Sequence, residues 1–99
     1  MDADRYTLLT ATSPGALAVL RLRGPGVPAL LARHFSRTPA LSRPVHGDWR
    51  DADGEVIDDP VVALLSDVEA ELSAHGGPEV VRRLRQSLES AGFAHAPAD

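Results

Sequence analysis

The segment Ser73-Ala74-His75-Gly76-Gly77-Pro78 holds the residue types with the most scope for chemistry in this chain. A strand pattern runs into it and a helix pattern leaves it, since proline is tolerated at a first helical position and Glu79 complements the positive end of the helix dipole. The glycine pair allows a sharp turn and leaves backbone amides exposed at the helix start, where an anion or another ligand can bind. A histidine before Gly-Gly is more often a turn or packing residue than a catalytic base.

The remaining polar residues show no catalytic or metal-ligating pattern, so we predict no catalytic residue and no metal site. Three further histidines share no metal-ligand spacing, and we interpret them as structural or surface residues: His34, His46 and His95. Two acidic pairs are typical of turns and strand edges: Asp51/Asp53 and Asp58/Asp59. Three arginines near the C-terminus are expected to form a solvated helix face: Arg82, Arg83 and Arg85.

The composition indicates one folded domain and excludes several classes of function. The chain has 99 residues, of which 43% are hydrophobic and 24% charged, enough for a single modest core. A net charge of −4 and 4% aromatic residues provide neither a basic surface nor stacking platforms for nucleic acid. The lack of cysteine excludes disulfides and thiolate chemistry. No apolar run reaches the roughly 20 residues of a membrane span, and we expect a cytoplasmic protein that contacts neither membrane nor nucleic acid directly.

Hydrophobic periodicity predicts the elements that must position the polar residues. Strand patterns cover residues 5–12, 16–23, 45–50, 55–65 and 69–73, and helix patterns cover 27–35 and 78–91. A turn is predicted at Ser13-Pro14-Gly15, a hairpin at Asp53-Gly54, and an edge or bulge at Pro60. The order β-β-α-β-β-β-α predicts an α+β domain, with two helices on one face of a mixed or antiparallel sheet. We place this domain at residues 1–94 and expect a frayed tail at 95–99.

Four motifs in this order resemble a known family. They are Ala-Thr-Ser-Pro-Gly after the first strand, Val-Leu-Arg-Leu-Arg-Gly-Pro before the first helix, Asp-Ala-Asp-Gly-Glu-Val-Ile-Asp, and Glu-Leu-Ser-Ala-His-Gly-Gly-Pro before the last helix. From Arg5 to Phe93 the chain is similar to the N-terminal domain of tRNA-modification GTPases of the TrmE (MnmE) family. The resemblance implies a fold related to the tetrahydrofolate-binding part of glycine-cleavage T-proteins, and a homodimer that binds 5-formyltetrahydrofolate or a related one-carbon tetrahydrofolate.

The resemblance also implies partners and a pathway. The family's whole enzyme has a helical domain and a GTPase domain, and it acts with the flavin-dependent MnmG on the wobble uridine of certain tRNAs. This sequence has no counterpart of those domains. We therefore expect a protein that is not catalytic on its own and that works with a separate GTPase or an MnmG-like partner.

Two folate-contacting residues are implied by the resemblance. The arginine of the family's Leu-Arg-x-x-Gly falls on Arg21, and the glutamate four residues before the histidine of His-Gly-Gly falls on Glu71. An arginine can pair with a carboxylate or a carbonyl edge, and a carboxylate can accept two parallel N–H bonds from the amino-pyrimidine edge of a pterin. A third family contact, a lysine, has no counterpart here, and the family's Ser-Tyr/Phe-Thr-Gly-Glu-Asp loop is missing after Leu65.

The sequence leaves three hypotheses open. The first is a folate-binding, self-associating domain, favoured by Arg21, Glu71 and the His-Gly-Gly motif. The second is a protein-interaction or dimerisation module whose folate pocket has decayed, favoured by the missing loop and lysine. An independent small enzyme has the least support. Arg21 and Glu71 can also be structural or solvated strand charges. If folate binding is retained, both should point into one cavity, whereas positions on opposite faces would exclude the site.

Overall fold

A computed structural model describes residues 3–10 and 16–98 of the chain. The turn predicted at Ser13-Pro14-Gly15 lies outside the described residues. The helices of the described part are α1 (Val27–His34) and α2 (Pro78–Ser90). Its strands are β1 (Arg5–Leu8), β2 (Leu17–Arg23), β3 (Val45–His46), β4 (Trp49–Arg50), β5 (Val56–Asp58), β6 (Val61–Ser66), β7 (Glu69–His75) and β8 (Ala94–His95). The predicted α+β class is confirmed.

The main sheet is mixed and has the strand order β3-β6-β7-β2-β1-β8. Its neighbours pair antiparallel except for β1 and β8, which are parallel. A smaller sheet consists of β4 and β5. The two longest strands, β2 and β7, lie side by side at the centre and pair along their full length, from Leu17 opposite His75 to Arg23 opposite Glu69.

The middle of the chain differs from the prediction, because two predicted strands are each divided. Residues 45–50 form β3 and β4, and residues 55–65 form β5 and most of β6. The second break falls at Asp59-Pro60, since proline has no N–H to donate to a strand partner. The Pro60 carbonyl accepts the Gly47 N–H at 3.1 Å. As a result the predicted hairpin is shared between two sheets, with β4 paired to β5 and β3 paired to β6.

Strand pairing in the C-terminal part of the chain extends further than predicted, at the end of β7 and again at β8. β7 continues past Ser73 to His75, because Ala74 and His75 pair with Ala18 and Leu17 of β2. β8 places Ala94 beside Arg5 and His95 beside Tyr6, one residue beyond the domain end expected at Ala94. The helices end close to their predicted bounds. Gly92 has φ +94° and follows α2 as the left-handed residue that a glycine accommodates best.

The core lies between the helices and one face of the main sheet. Every second residue of the two central strands is buried against α1 and α2: Ala18, Leu20, Leu22, Ala70, Leu72 and Ala74. The α2 residues buried opposite them are Val81, Leu84, Ser87 and Leu88. The intervening strand residues are partly or fully exposed, and we call their surface the open face: Leu17, Val19, Arg21, Arg23, Glu69, Glu71, Ser73 and His75.

Candidate functional site

Arg21 and Glu71 lie on the open face as direct cross-strand neighbours. Arg21 pairs with Glu71 in the β2–β7 register, and the alternation of each strand turns both side chains away from the core. Gly24, which ends the Leu-Arg-x-x-Gly motif, has φ +136° and no room for a side chain, because a Cβ there would lie 2.7 Å from the backbone Cα of Asp4. The glycine thus allows the chain to turn from β2 towards α1 just after Arg21 and Arg23.

The Arg21 guanidinium is held by two carboxylates of β7. Its Nη2 donates to Glu71 Oε2 at 2.9 Å and its Nη1 to Glu69 Oε2 at 3.4 Å. The hydrogen bond to Glu71 raises the pKa of Arg21 above its ordinary value. Arg21 Nε is buried and has no hydrogen-bond partner among the described residues. An N–H donor that has lost its water and found no acceptor is costly, so the contacts of the other two guanidinium nitrogens with Glu71 and Glu69 hold Arg21 in this position.

A groove of about 460 Å³ borders this cluster on the side of β1. It is lined by Arg5, Thr7, Leu9, Arg21 and Arg23 and by residues 96–98 of the C-terminal segment. Glu71 is not among the lining residues. Arg21 and Glu71 therefore share one face and touch each other, so the opposite-face arrangement that would exclude the site does not occur. Only Arg21 lines this groove, so the groove is not the single cavity expected to receive both side chains.

The Gly-Gly turn makes a different contact from the one predicted. The Gly76 N–H donates to the Ala16 carbonyl at 2.6 Å, so it extends the β2–β7 pairing and is not exposed for a ligand. Gly77 precedes α2 with φ −58°, a value open to any residue. Neither glycine has the positive φ that the predicted sharp turn would use.

His75, next to that turn, belongs to a second polar cluster that the sequence did not reveal. Its Nδ1 lies 2.7 Å from Asp58 Oδ1 and 3.7 Å from Asp59 Oδ1, and its backbone N–H donates to Asp58 Oδ2 at 2.9 Å. His46 Nε2 lies 3.0 Å from Asp59 Oδ2. We name these four residues the His75 cluster. The hydrogen bond to Asp58 raises the pKa of His75, and the hydrogen bond from His46 lowers the pKa of Asp59.

The arginines of α2 are less solvated than predicted. Arg82 pairs with Glu79 on the helix surface, but Arg83 reaches Glu55 at 3.0 Å and Arg85 donates to the Tyr6 hydroxyl at 3.0 Å. These two side chains join α2 to the β4–β5 connection and to β1. Periodicity places such residues on the outer side of a helix without showing which loop lies over them.

The other histidines have structural surroundings. His34 is buried, its Nδ1 lies 2.7 Å from the Arg50 carbonyl, and its ring stacks on Trp49 with 5.4 Å between centroids. The His95 ring lies 5.2 Å from that of Tyr6.

Within residues 3–10 and 16–98, neither helix is long and apolar enough to cross a membrane.

Comparison with known proteins identifies similar sequences along nearly the whole chain. No family model matches it. Over 94 residues the chain is 37% identical to the tRNA modification GTPase MnmE of Bordetella parapertussis. The aligned segment covers 86% of this chain and 20% of the relative. The MnmE proteins of Alkalilimnicola ehrlichii and Thermotoga maritima are both 33% identical over 92 residues, covering 86% and 83% of this chain. The chain spans about one fifth of the length of the curated relatives it matches. The resemblance drawn from the motifs is confirmed.

Proposed function

Since this chain is similar to the N-terminal domain of the tRNA modification GTPase MnmE, we propose that it binds a one-carbon tetrahydrofolate and self-associates, in support of tRNA wobble-uridine modification. In this role it is not catalytic on its own and works with a GTPase or an MnmG-like flavin-dependent partner. The observation that carries the proposal is the contact between Arg21 and Glu71. The two residues that the family resemblance assigns to folate are direct neighbours on one exposed surface.

The chemistry of the pair fits a reduced folate. The Glu71 carboxylate is 37% exposed and can accept the two parallel N–H groups of the amino-pyrimidine edge. The Arg21 guanidinium, whose side chain is 30% exposed, can donate to a carbonyl or carboxylate of the same ligand. The neighbouring arginines of the groove, Arg5 and Arg23, supply positive charge for the glutamate tail that a folate carries. Binding exchanges part of the Arg21–Glu71 contact for contacts to the ligand.

Isothermal titration with 5-formyltetrahydrofolate tests this proposal directly. We expect saturable binding to the unmodified protein, and a loss of about tenfold to a hundredfold in affinity for Arg21→Ala and for Glu71→Gln, since each removes a hydrogen bond to a charged group. Arg82→Ala is the matched control, because it removes an arginine from the outer surface of α2 and should leave affinity unchanged. No binding to a folded protein, or equal binding by all variants, would contradict the proposal.

A second candidate function is a protein-interaction or dimerisation module without folate. It is favoured by the apolar side chains exposed on or beside the open face, Leu17 at 63%, Val61 at 36% and Leu65 at 42%. It is also favoured by the mutual neutralisation of Arg21 and Glu71, which leaves neither charge free. Sedimentation of the protein with and without 5-formyltetrahydrofolate separates the candidates. A stable dimer that ignores the folate favours the module, whereas a dimer that the folate strengthens favours the first proposal.

A further inference from the structure

We propose that the His75 cluster is a binding site for a divalent transition-metal ion, with Asp58, Asp59 and His75 as its ligands and His46 as the residue that orients Asp59. The site lies where β5 and β7 end and β6 begins. It shares no residue with the Arg21–Glu71 pair, so it does not rest on the proposed folate binding.

The three donor atoms are already gathered at one point. His75 Nδ1 and one oxygen of each aspartate all lie within 4.8 Å of one another. The distances from the ring nitrogen are 2.7 Å to Asp58 Oδ1 and 3.7 Å to Asp59 Oδ1. Ligands of a tetrahedral zinc ion, bound at about 2.0–2.2 Å, stand roughly 3.3 Å apart. These two distances lie on either side of that spacing, so His75 Nδ1 is within about half an ångström of the spacing to each carboxylate that an ion requires.

The backbone fixes the geometry of the first carboxylate. The Asp58 side chain is only 7% exposed, and its Oδ2 accepts the N–H of His75 at 2.9 Å. This bond ties the end of β5 to the end of β7 and leaves Oδ1 directed at the imidazole. Oδ2 of Asp58 thus accepts a backbone hydrogen bond, and Oδ1 is available as a ligand.

The second carboxylate is oriented by the other histidine. His46 Nε2 contacts Asp59 Oδ2, which leaves Asp59 Oδ1 on the side of His75. Partners of this kind hold a ligand in place and strengthen metal binding. Pro60, which is fully buried, directly follows the two aspartates and restricts their backbone.

The donor set selects the class of ion. One imidazole nitrogen and two carboxylate oxygens suit zinc, manganese, iron or cobalt, while magnesium and calcium favour oxygen donors alone. His75 is 68% exposed, so the remaining coordination positions are open to water. A divalent ion would also neutralise the negative charge of two adjacent carboxylates.

Titration of the protein, freed of metal and of any purification tag, with Zn²⁺ tests the site. We expect one ion per chain, affinity reduced about tenfold or more in His75→Gln and in Asp59→Asn, and no comparable binding of Mg²⁺. His95→Gln is the matched control, since it removes a histidine at the far edge of the main sheet, on β8, and should bind Zn²⁺ unchanged. Binding that is equal in His75→Gln, or no saturable binding, would show that the cluster is a pair of ordinary histidine–aspartate contacts.

A spectroscopic readout makes the test independent of variant stability. Co²⁺ added to the unmodified, isotope-labelled protein should broaden or shift amide resonances around residues 46, 58, 59 and 75 first. Effects that begin at His34 or His95, or that spread evenly over acidic surface residues, would overturn the assignment. This result does not depend on folate, so either proposal can fail while the other stands.

Discussion

The two faces of β2 and β7 carry alternate residues of the same strands but are built on opposite principles. On the covered face, all six residues are apolar and at most 2% exposed. On the open face, the alternate residues include Arg21 and Glu71 near the middle of the two strands and His75 at the end of β7, and the side chains there are half-buried or exposed. Since adjacent residues point to opposite faces, the burial of one residue places the next residue along the strand on the open face.

This difference separates what holds the domain together from what can be used for binding. Burial of apolar area gives the covered face its contribution to stability, whereas exposed ion pairs contribute little. The open face can therefore exchange its internal contacts for contacts to a ligand at small cost. Substitutions in neighbouring positions of one strand are the sharpest way to test this division of roles.

The largest effect is expected for Leu72→Ala on the covered face. Leu72 is 1% exposed and belongs to the core cluster, so its truncation leaves a cavity and should lower the free energy of unfolding by about 2–5 kcal/mol. Ser73→Ala, one residue along and on the open face, should stay within about 0.5 kcal/mol. Urea denaturation followed by circular dichroism measures both. Equal losses in the two variants would break the division between the faces.

A smaller effect is expected for a buried polar contact between β4 and α2. Trp49 is fully buried, and its Nε1 donates to Ser87 Oγ at 3.2 Å. Ser87→Ala leaves this donor without its acceptor and should cost about 1–3 kcal/mol. Ser90→Ala, exposed at the end of the same helix, is the control and should be nearly neutral in the same denaturation experiment. A neutral Ser87→Ala would mean that water or another group replaces the serine.

Much of the fold follows from local sequence signals. Alternation in residues 17–23 divides β2 into two faces, and the structure buries the face that carries Ala18, Leu20 and Leu22. The spacing of the apolar residues of 78–91 predicted one apolar side of α2, with Val80, Val81, Leu84 and Leu88, of which all but Val80 are buried. The breaks at Gly47-Asp48 and Asp59-Pro60 were not predicted in full. They depend on which sheet each half of the hairpin joins, and that is decided by partners distant in sequence.

The candidate sites show the same limit more strongly. Arg21 and Glu71 came from the family resemblance, since nothing in the spacing of 50 positions shows that they become cross-strand partners. The His75 cluster combines residues from β3, the β5–β6 junction and β7. Each of them, taken alone in the sequence, is typical of a surface or turn residue. The signal that could have drawn attention to it is the pair of aspartates before a proline in a predicted hairpin strand.

The smallest effect is expected for the coupling between Arg21 and Glu71, measured by a double-mutant cycle of Arg21→Met and Glu71→Gln. The pair is partly exposed, at 30% and 37%, so its coupling energy should be about 0.2–1 kcal/mol. The matched cycle joins Arg23→Met to Glu71→Gln. Arg23 contacts Glu69 at 3.4 Å, and this second coupling should be close to zero.

The size of that coupling decides how the open face can work. A weak coupling means that a folate can displace the Arg21–Glu71 contact without weakening the sheet, because the covered face keeps the two strands in register. A coupling above about 2 kcal/mol would exceed the range of exposed pairs and make the contact part of the structural framework. In that case a ligand would have to break a stabilising interaction to bind, and the interaction module would become the stronger candidate for this face.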